Sequence, residues 1–169
     1  FIPLLNEIGM LWQTDTISPA HEHFISNLIM QKLLLEIEKC PGPKPELAHK
    51  FFVLYLPLNE IHELGLMYIN YKITTAGYPV VYLGQNIQVE SLEYFAKNHP
   101  ETRFVTYLTI QPETSITEYA QAFNNTLNTN KLPLYMLGRK AITEETTHLP
   151  GNAKVFESIE KFAKTLDNG

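Results

Sequence analysis

A histidine and a carboxylate follow the first predicted strand of the chain. Glu60 and His62 are two residues apart, and Gly65 comes three residues later. A neutral imidazole is a common metal ligand, and a carboxylate that accepts its other ring N–H fixes the tautomer that binds a metal. The spacing therefore predicts a metal ligand at His62, oriented by Glu60. Gly65 would let bulky material lie close to the following helix.

The same residues have a purely structural interpretation. In it, His62 is a surface residue in the first turn of a helix capped by Asn59, and Glu60 and Glu63 only complement the helix dipole. At a helix N-terminus the dipole disfavours the protonated imidazole, which predicts a neutral His62. Composition alone leaves both interpretations open.

A second group of polar side chains lies near the start of the chain. Trp12 is followed after nine residues by Glu22 and His23, just beyond a predicted N-cap at Ser18. The indole offers an apolar wall, and Glu22 and His23 offer hydrogen-bond acceptors and donors. The alternatives are a packed Trp12 beside a solvated helical turn, or a zinc site at His21 and His23 that lacks further Cys or His partners.

The elements that position these residues change character at the proline-rich segment 40–45. Before it, apolar residues recur at helical spacing and predict at least two helices. The second helix is predicted to present one apolar face, made of Phe24, Leu28, Ile29, Leu33 and Ile37. We therefore predict a helical cap over residues 1–44, as part of a four-helix bundle, and a second domain over residues 45–169.

Strands and helices alternate after residue 50. Strands are predicted at 51–56, 80–83, 104–109, 132–137 and near His148, with helices at 60–76, 89–97, 115–128 and 154–166. The alternation predicts an α/β fold, a Rossmann-like (flavodoxin-like) domain with a five-stranded parallel sheet. Ligands of such sheets bind beyond the carboxyl ends of the strands, where His62 falls.

Composition and absent motifs narrow the function classes. The formal net charge is -5, so this chain is not itself expected to bind nucleic acid. The GxGxxG, GxxxxGK[ST] and GxSxG motifs are absent, which disfavours nucleotide-dependent enzymes and α/β-hydrolases. The single cysteine, Cys40, excludes an internal disulfide. Without a membrane-length apolar run or a signal peptide, a cytoplasmic location is expected.

Both groups of residues resemble known motifs. Glu60-x-His62-x-x-Gly65, after the first strand of a Rossmann-like domain, resembles the D-x-H-x-x-G signature of cobalamin-binding domains. Trp12 followed by Glu22-His23 looks like the W-x9-E-H motif of CarH-like MerR-type transcription regulators. The resemblance covers the cap and the Rossmann-like domain but not the N-terminal DNA-binding domain of such regulators.

The resemblance implies a cofactor and a set of residues that contact it. In that family the histidine is the lower cobalt ligand, the displaced nucleotide tail inserts along the sheet edge, and the W-x9-E-H residues cover the upper, adenosyl face. Here this implies cobalamin, with adenosylcobalamin favoured and cobalt ligated by His62. The residues implied to contact it are Trp12, Glu22, His23, Glu60, His62, Gly65, Thr106, Thr109 and Gly138.

Three positions depart from the family pattern. Glu60 replaces the usual aspartate, and its extra methylene predicts a looser or tilted contact with His62. The Ser-x-Leu motif of the third strand appears as Thr106-Tyr107-Leu108. The protein hydroxyl that bonds the nucleotide tail would then come from Thr106 or from Thr109. The Gly-Gly pair after the fourth strand appears as Leu137-Gly138-Arg139, which predicts crowding of the tail.

The resulting interpretation is a binding module and not an enzyme. It would be the sensor region of a light-dependent or cofactor-dependent regulator, acting as a homo-oligomer that reaches DNA through a domain outside this chain and has no membrane partner. Two alternatives stay open. One is a regulator that kept the fold, lost the cofactor, and works through dimerisation or another small ligand. The other is a corrinoid protein of a methyltransferase, which the Trp12…Glu22-His23 motif disfavours.

Overall fold

The centre of the structure is a parallel sheet of five strands, seen in a computed structural model that describes residues 18–129, 131–144, 146 and 148–166. The strands are β1 Phe52–Tyr55, β2 Val80–Gly84, β3 Arg103–Tyr107, β4 Leu134–Leu137 and β5 Ala153–Val155. Their order is β2-β1-β3-β4-β5, and every neighbouring pair is parallel. The predicted flavodoxin-like α/β fold is confirmed, with its switch point between β1 and β3.

Helices cover both faces of the sheet. They are α1 Pro19–Glu38, α2 Glu63–Ala76, α3 Glu93–Asn98, α4 Ile116–Thr126, α5 Arg139–Thr143 and α6 Ile159–Leu166. The core on one face contains residues of α1, α2 and α6, and the core on the other face contains residues of α4 and of the segment around α3. None of the helices in the described ranges is long and apolar enough to cross a membrane.

Strand β1 shows why the sheet forms here. All four of its residues are fully or almost fully buried, as expected for a central parallel strand with helices on both sides. Phe52 and Leu54 enter the core of α2 and α6, whereas Val53 and Tyr55 enter the core of α4. The continuous apolar run that predicted this strand is therefore used on both faces.

Helix α1 begins after Ser18, whose hydroxyl accepts the backbone N–H of His21 at 3.4 Å. Its predicted single apolar face is only partly correct. Ile29 and Leu33 are buried in the core shared with α2, but Phe24 and Leu28 are 63% and 43% exposed. The apolar residues of α1 are spread around the helix, so that packing against α2 covers one row of them and leaves the rest outside that core.

The end of the chain differs from the prediction. The last strand is Ala153–Val155 and not a segment near His148, and its helix begins at Ile159 rather than at Lys154. Lys154 pairs with β4 inside the sheet. The helix starts only after Ser158, whose hydroxyl accepts the backbone N–H of Lys161 at 3.1 Å.

Candidate functional site

Glu60 is a fully buried carboxylate that joins two loops at the carboxyl edge of the sheet. Its Oε2 accepts the backbone N–H groups of Thr109, Ile110 and Gln111 at 2.9, 2.9 and 3.0 Å. Its Oε1 accepts the backbone N–H of His62 at 3.1 Å and lies 2.5 Å from the Nδ1 of the same residue. Both oxygens are satisfied, and the loop after β1 is tied to the loop after β3.

The expected loosening of the histidine contact does not occur. The longer glutamate side chain reaches the three backbone N–H groups after β3 and still holds the imidazole of His62 at 2.5 Å. The extra methylene therefore extends the reach of the carboxylate without separating it from the histidine. With the Nδ1–H donated to Glu60, the lone pair of the neutral ring lies on Nε2.

Hydrogen bonding keeps Glu60 ionised. Burial raises a carboxyl pKa, but the hydrogen bonds from His62 and from the loop after β3 outweigh burial and lower the pKa of Glu60 to about 2. The carboxylate in turn raises the pKa of His62, chiefly through their hydrogen bond, against the lowering effect of burial. The effect of Glu60 on His62 is therefore opposite in direction to the predicted effect of the helix dipole, because the hydrogen bond to the carboxylate favours the protonated ring.

The position of His62 also differs from the predicted first helical turn. It is the N-cap residue of α2, which begins at Glu63, and its side chain is 44% exposed. Asn59 is not the cap, because its φ is 63° and its N–H donates to Oδ1 of Asn86 at 2.9 Å. Residues 60–62, which the sequence predicts to begin the helix, are not helical, and the Glu60 side chain turns inward from this segment. The result is an imidazole presented at the edge of the sheet.

The residues predicted above His62 are brought only partly to this edge. Glu22 lies in the first turn of α1, accepts the hydroxyl of Ser26 at 2.9 Å, and is close enough for its charge to raise the pKa of His62. His23 is largely exposed. Trp12 lies outside the described residues. Within the described residues no group of three or more His, Cys, Asp or Glu side chains forms a metal cluster, so the zinc alternative gains no support.

A groove at the start of α2 is filled by an aromatic side chain. A Cβ added at Gly65 would lie 2.5 Å from two ring atoms of Tyr107, the last residue of β3. Gly65 therefore does leave room beside the helix, but the ring of Tyr107 takes that room. Burial raises the pKa of Tyr107, and the charges of Glu60 and Glu160 raise it further, so its phenol stays neutral.

The other residues predicted for the ligand tail have mixed surroundings. The hydroxyls of Thr106 and Thr109 are buried and have no hydrogen-bond partner among the described residues. Side chains alternate along β3, so Thr106 lies on the opposite face of the sheet from Tyr107. Gly138 has a φ of 100°, and a Cβ there would lie 2.4 Å from the carbonyl oxygen of Leu108. Backbone packing within the chain already requires this glycine.

A separate cavity of about 600 Å³ opens at the same edge of the sheet. It lies between the loop after β1, residues 87–90, residues 111–113 and α4, on the side away from α1 and α2. Its lining includes Asn59, Gln88, Glu90 and Glu113 but not His62. The cavity is therefore distinct from the surroundings of the histidine.

Fold and site together define a parallel α/β domain that presents a carboxylate-bound histidine where such sheets bind ligands. Residues 1–35 match the model of a family described as a B12 binding domain. The chain is 30% identical to the HTH-type transcriptional repressor CarH of Myxococcus xanthus over 90 residues, which are 53% of the chain. The aligned part is 29% of that repressor, so the chain matches less than a third of its length. These matches confirm the resemblance to CarH-like regulators.

Two solved structures share the fold. The monomethylamine corrinoid protein of Methanosarcina barkeri superposes with a TM-score of 0.69 at 16% identity, over 97% of this chain and 77% of that chain. The methanol:cobalamin methyltransferase complex MtaBC, also from Methanosarcina barkeri, gives 0.56 at 14% identity, over 97% of this chain and 62% of that chain. At such identities the likeness is one of fold.

Proposed function

We propose that this chain is the cobalamin-binding sensor region of a transcription regulator, with His62 as the lower cobalt ligand. The observation that carries the proposal is the pair formed by Glu60 and His62. A buried carboxylate holds Nδ1 at 2.5 Å, which leaves Nε2 as the donor toward a metal and increases its basicity. The match of residues 1–35 to a B12 binding domain supports the choice of cofactor.

The residues around His62 fit a cobalt-bound ligand, and one side chain nearby does not. The half-exposed imidazole and the nearby carboxylates of Glu60 and Glu22 suit a metal cation. The hydroxyl of Thr109, which has no partner among the described residues, suits a polar ligand group. The ring of Tyr107, in contrast, fills the groove at Gly65 and leaves no space for a second ring there.

We propose adenosylcobalamin as the form that is sensed, because Trp12, Glu22 and His23 follow the W-x9-E-H pattern. Bound cobalamin would supply a cobalt centre with an exchangeable upper ligand. Glu22, in the first turn of α1, would contact that ligand, and His62 would ligate cobalt. A change of upper ligand would then alter the packing of α1 against α2. Light is the signal that we propose for this change of ligand.

In this proposal the chain is a binding module and not an enzyme. We propose a cytoplasmic regulator that assembles as a homo-oligomer. The similarity to an HTH-type transcriptional repressor supports contact with DNA through a domain outside this chain. A change in how α1 packs would change the contacts between subunits, and thereby the operator affinity of the regulator.

One alternative is favoured by specific observations. Tyr107 occupies the groove at Gly65, and a separate cavity of about 600 Å³ opens beside α4. A regulator that has lost cobalamin and responds to a smaller molecule would show both features. The third candidate, a corrinoid carrier for a methyltransferase, is supported by fold alone.

Retention of cobalamin tests the proposal. The purified chain is mixed with adenosylcobalamin in the dark, desalted, and its visible spectrum is recorded before and after green light. We expect retained corrin and a spectral change on illumination. His62→Ala should lose the corrin and regain part of it with added imidazole, whereas His49→Ala, at an exposed ion pair with Glu101, should bind normally. A folded chain that retains no corrin would overturn the proposal.

A further inference from the structure

We propose that Tyr107 is an internal plug of the groove at Gly65, and that the nucleotide tail of cobalamin must displace its ring in order to enter. The inference rests on the proposed function, because it concerns how corrinoids enter the same site. It predicts that this chain discriminates between corrinoids by their tails. Corrinoids without a tail would bind without moving Tyr107.

The plug follows from the contact between Gly65 and Tyr107. The ring lies where a Cβ of residue 65 would be, at 2.5 Å, so it fills the notch that the glycine leaves in α2. The notch holds the planar ring of Tyr107, and Gly65 is three residues, about one helical turn, from His62. A flat heterocycle that followed cobalt to His62 would reach the same notch.

The hydroxyl of Tyr107 is not anchored as are those of four other tyrosines in the two cores. The hydroxyls of Tyr55 and Tyr119 bond each other at 2.8 Å, Tyr78 donates to a main-chain carbonyl at 3.1 Å, and Tyr82 donates to a carboxylate at 2.8 Å. The hydroxyl of Tyr107 makes no such bond within the described residues. Among the described residues, packing alone holds its ring.

The location of Tyr107 allows it to move without unfolding the sheet. It is the last residue of β3 and only partly buried, so rotation about its own side-chain bonds turns the ring toward solvent. The nearby charges of Glu60 and Glu160 are both negative. They act on Tyr107 through charge alone, and neither accepts a hydrogen bond from its hydroxyl. Within the part of the chain that the structure describes, displacement of the ring therefore breaks van der Waals contacts and no hydrogen bond.

Paired corrinoids test the plug. Hydroxocobalamin carries the tail and diaquocobinamide lacks it, and each is titrated into the wild-type chain, Tyr107→Gly and the control Tyr107→Phe. We expect the wild type and Tyr107→Phe to bind cobinamide about tenfold more tightly than cobalamin, a difference of about 1.4 kcal/mol. Tyr107→Gly should tighten cobalamin binding about tenfold and leave cobinamide binding nearly unchanged. Tyr107→Ala replaces Tyr107→Gly if glycine prevents folding of the strand.

A thermal melt with benzimidazole tests the groove without a corrin. An apolar cavity left by removing a ring binds a small aromatic molecule, so benzimidazole should raise the Tm of Tyr107→Gly but not that of the wild type or of Tyr107→Phe. Equal binding of both corrinoids by all variants would overturn the plug while the proposed function stands. If no variant binds either corrinoid, the proposed function fails. The absence of benzimidazole stabilisation would then also overturn the plug.

Discussion

Replacing Glu60 with glutamine tests whether the buried carboxylate holds the carboxyl edge of the sheet together. Glutamine keeps the shape of the side chain but presents an NH₂ group where one carboxylate oxygen accepts hydrogen bonds. In either orientation this NH₂ faces N–H donors, either those of the loop after β3 or those of His62. We therefore expect a native fold with clearly lower stability at neutral pH.

The lowered pKa sets the size of the effect. The pKa of Glu60 is about 2 in the folded chain, against an ordinary value of 4.5. That difference corresponds to about 3 kcal/mol of folding free energy, since each tenfold change in proton affinity is worth about 1.4 kcal/mol. Because folding lowers the pKa, the contribution is complete well above pH 4.5 and is lost as the pH falls through about 2.

Urea unfolding across a pH series, without cofactor, measures this contribution. The wild type should exceed Glu60→Gln by about 3 kcal/mol near neutral pH, and the difference should shrink steadily below pH 4.5. Glu113→Gln makes the same chemical change at an exposed carboxylate in the loop after β3 and should leave the profile unchanged. Equal stabilities at neutral pH, or a difference that persists in acid, would refute the reasoning.

Two further substitutions test packing near the site. Tyr55→Phe should destabilise the chain by about 1–3 kcal/mol, because it leaves the buried hydroxyl of Tyr119 without its 2.8 Å partner. The double phenylalanine variant should lose less than the two single changes together, which a double-mutant cycle of urea unfolding measures. Gly138→Ala should lower stability by more than about 2 kcal/mol, since its Cβ would lie 2.4 Å from Leu108. Gly42→Ala, which meets nothing within 4 Å, is the control and should melt like the wild type.

Most of the fold could be predicted from apolar runs and the residues that interrupt them. The central strand β1 is buried on both faces, so its sequence is continuously apolar and easily identified. Strand β5 was misplaced because it has only three residues, with Lys154 exposed in the middle. Three residues are too few for an apolar–polar alternation to mark a strand in sequence.

The candidate site could be predicted only where its contacts are local. Glu60 and His62 are two residues apart, so their hydrogen bond follows from spacing. The three N–H groups that lower the pKa of Glu60 come from the backbone of residues 109–111, and every residue except proline carries such a group. No side-chain type marks them in the sequence. Predicting the contact between Tyr107 and Gly65 requires knowing which face of the sheet Tyr107 occupies. Tyr107 lies on the same face as Val105, two residues earlier, so the two-residue period of β3 could have indicated that face.

The link between Glu60 and the loop after β3 also sets when the site can form. The three backbone donors lie 49, 50 and 51 residues beyond the carboxylate. A growing chain that has not reached Gln111 therefore has the histidine but not the groups that fix its carboxylate. The carboxylate that holds the imidazole of His62 is fixed in place only after β3 docks beside β1, so a ligand that needs this fixed imidazole stabilises the assembled sheet.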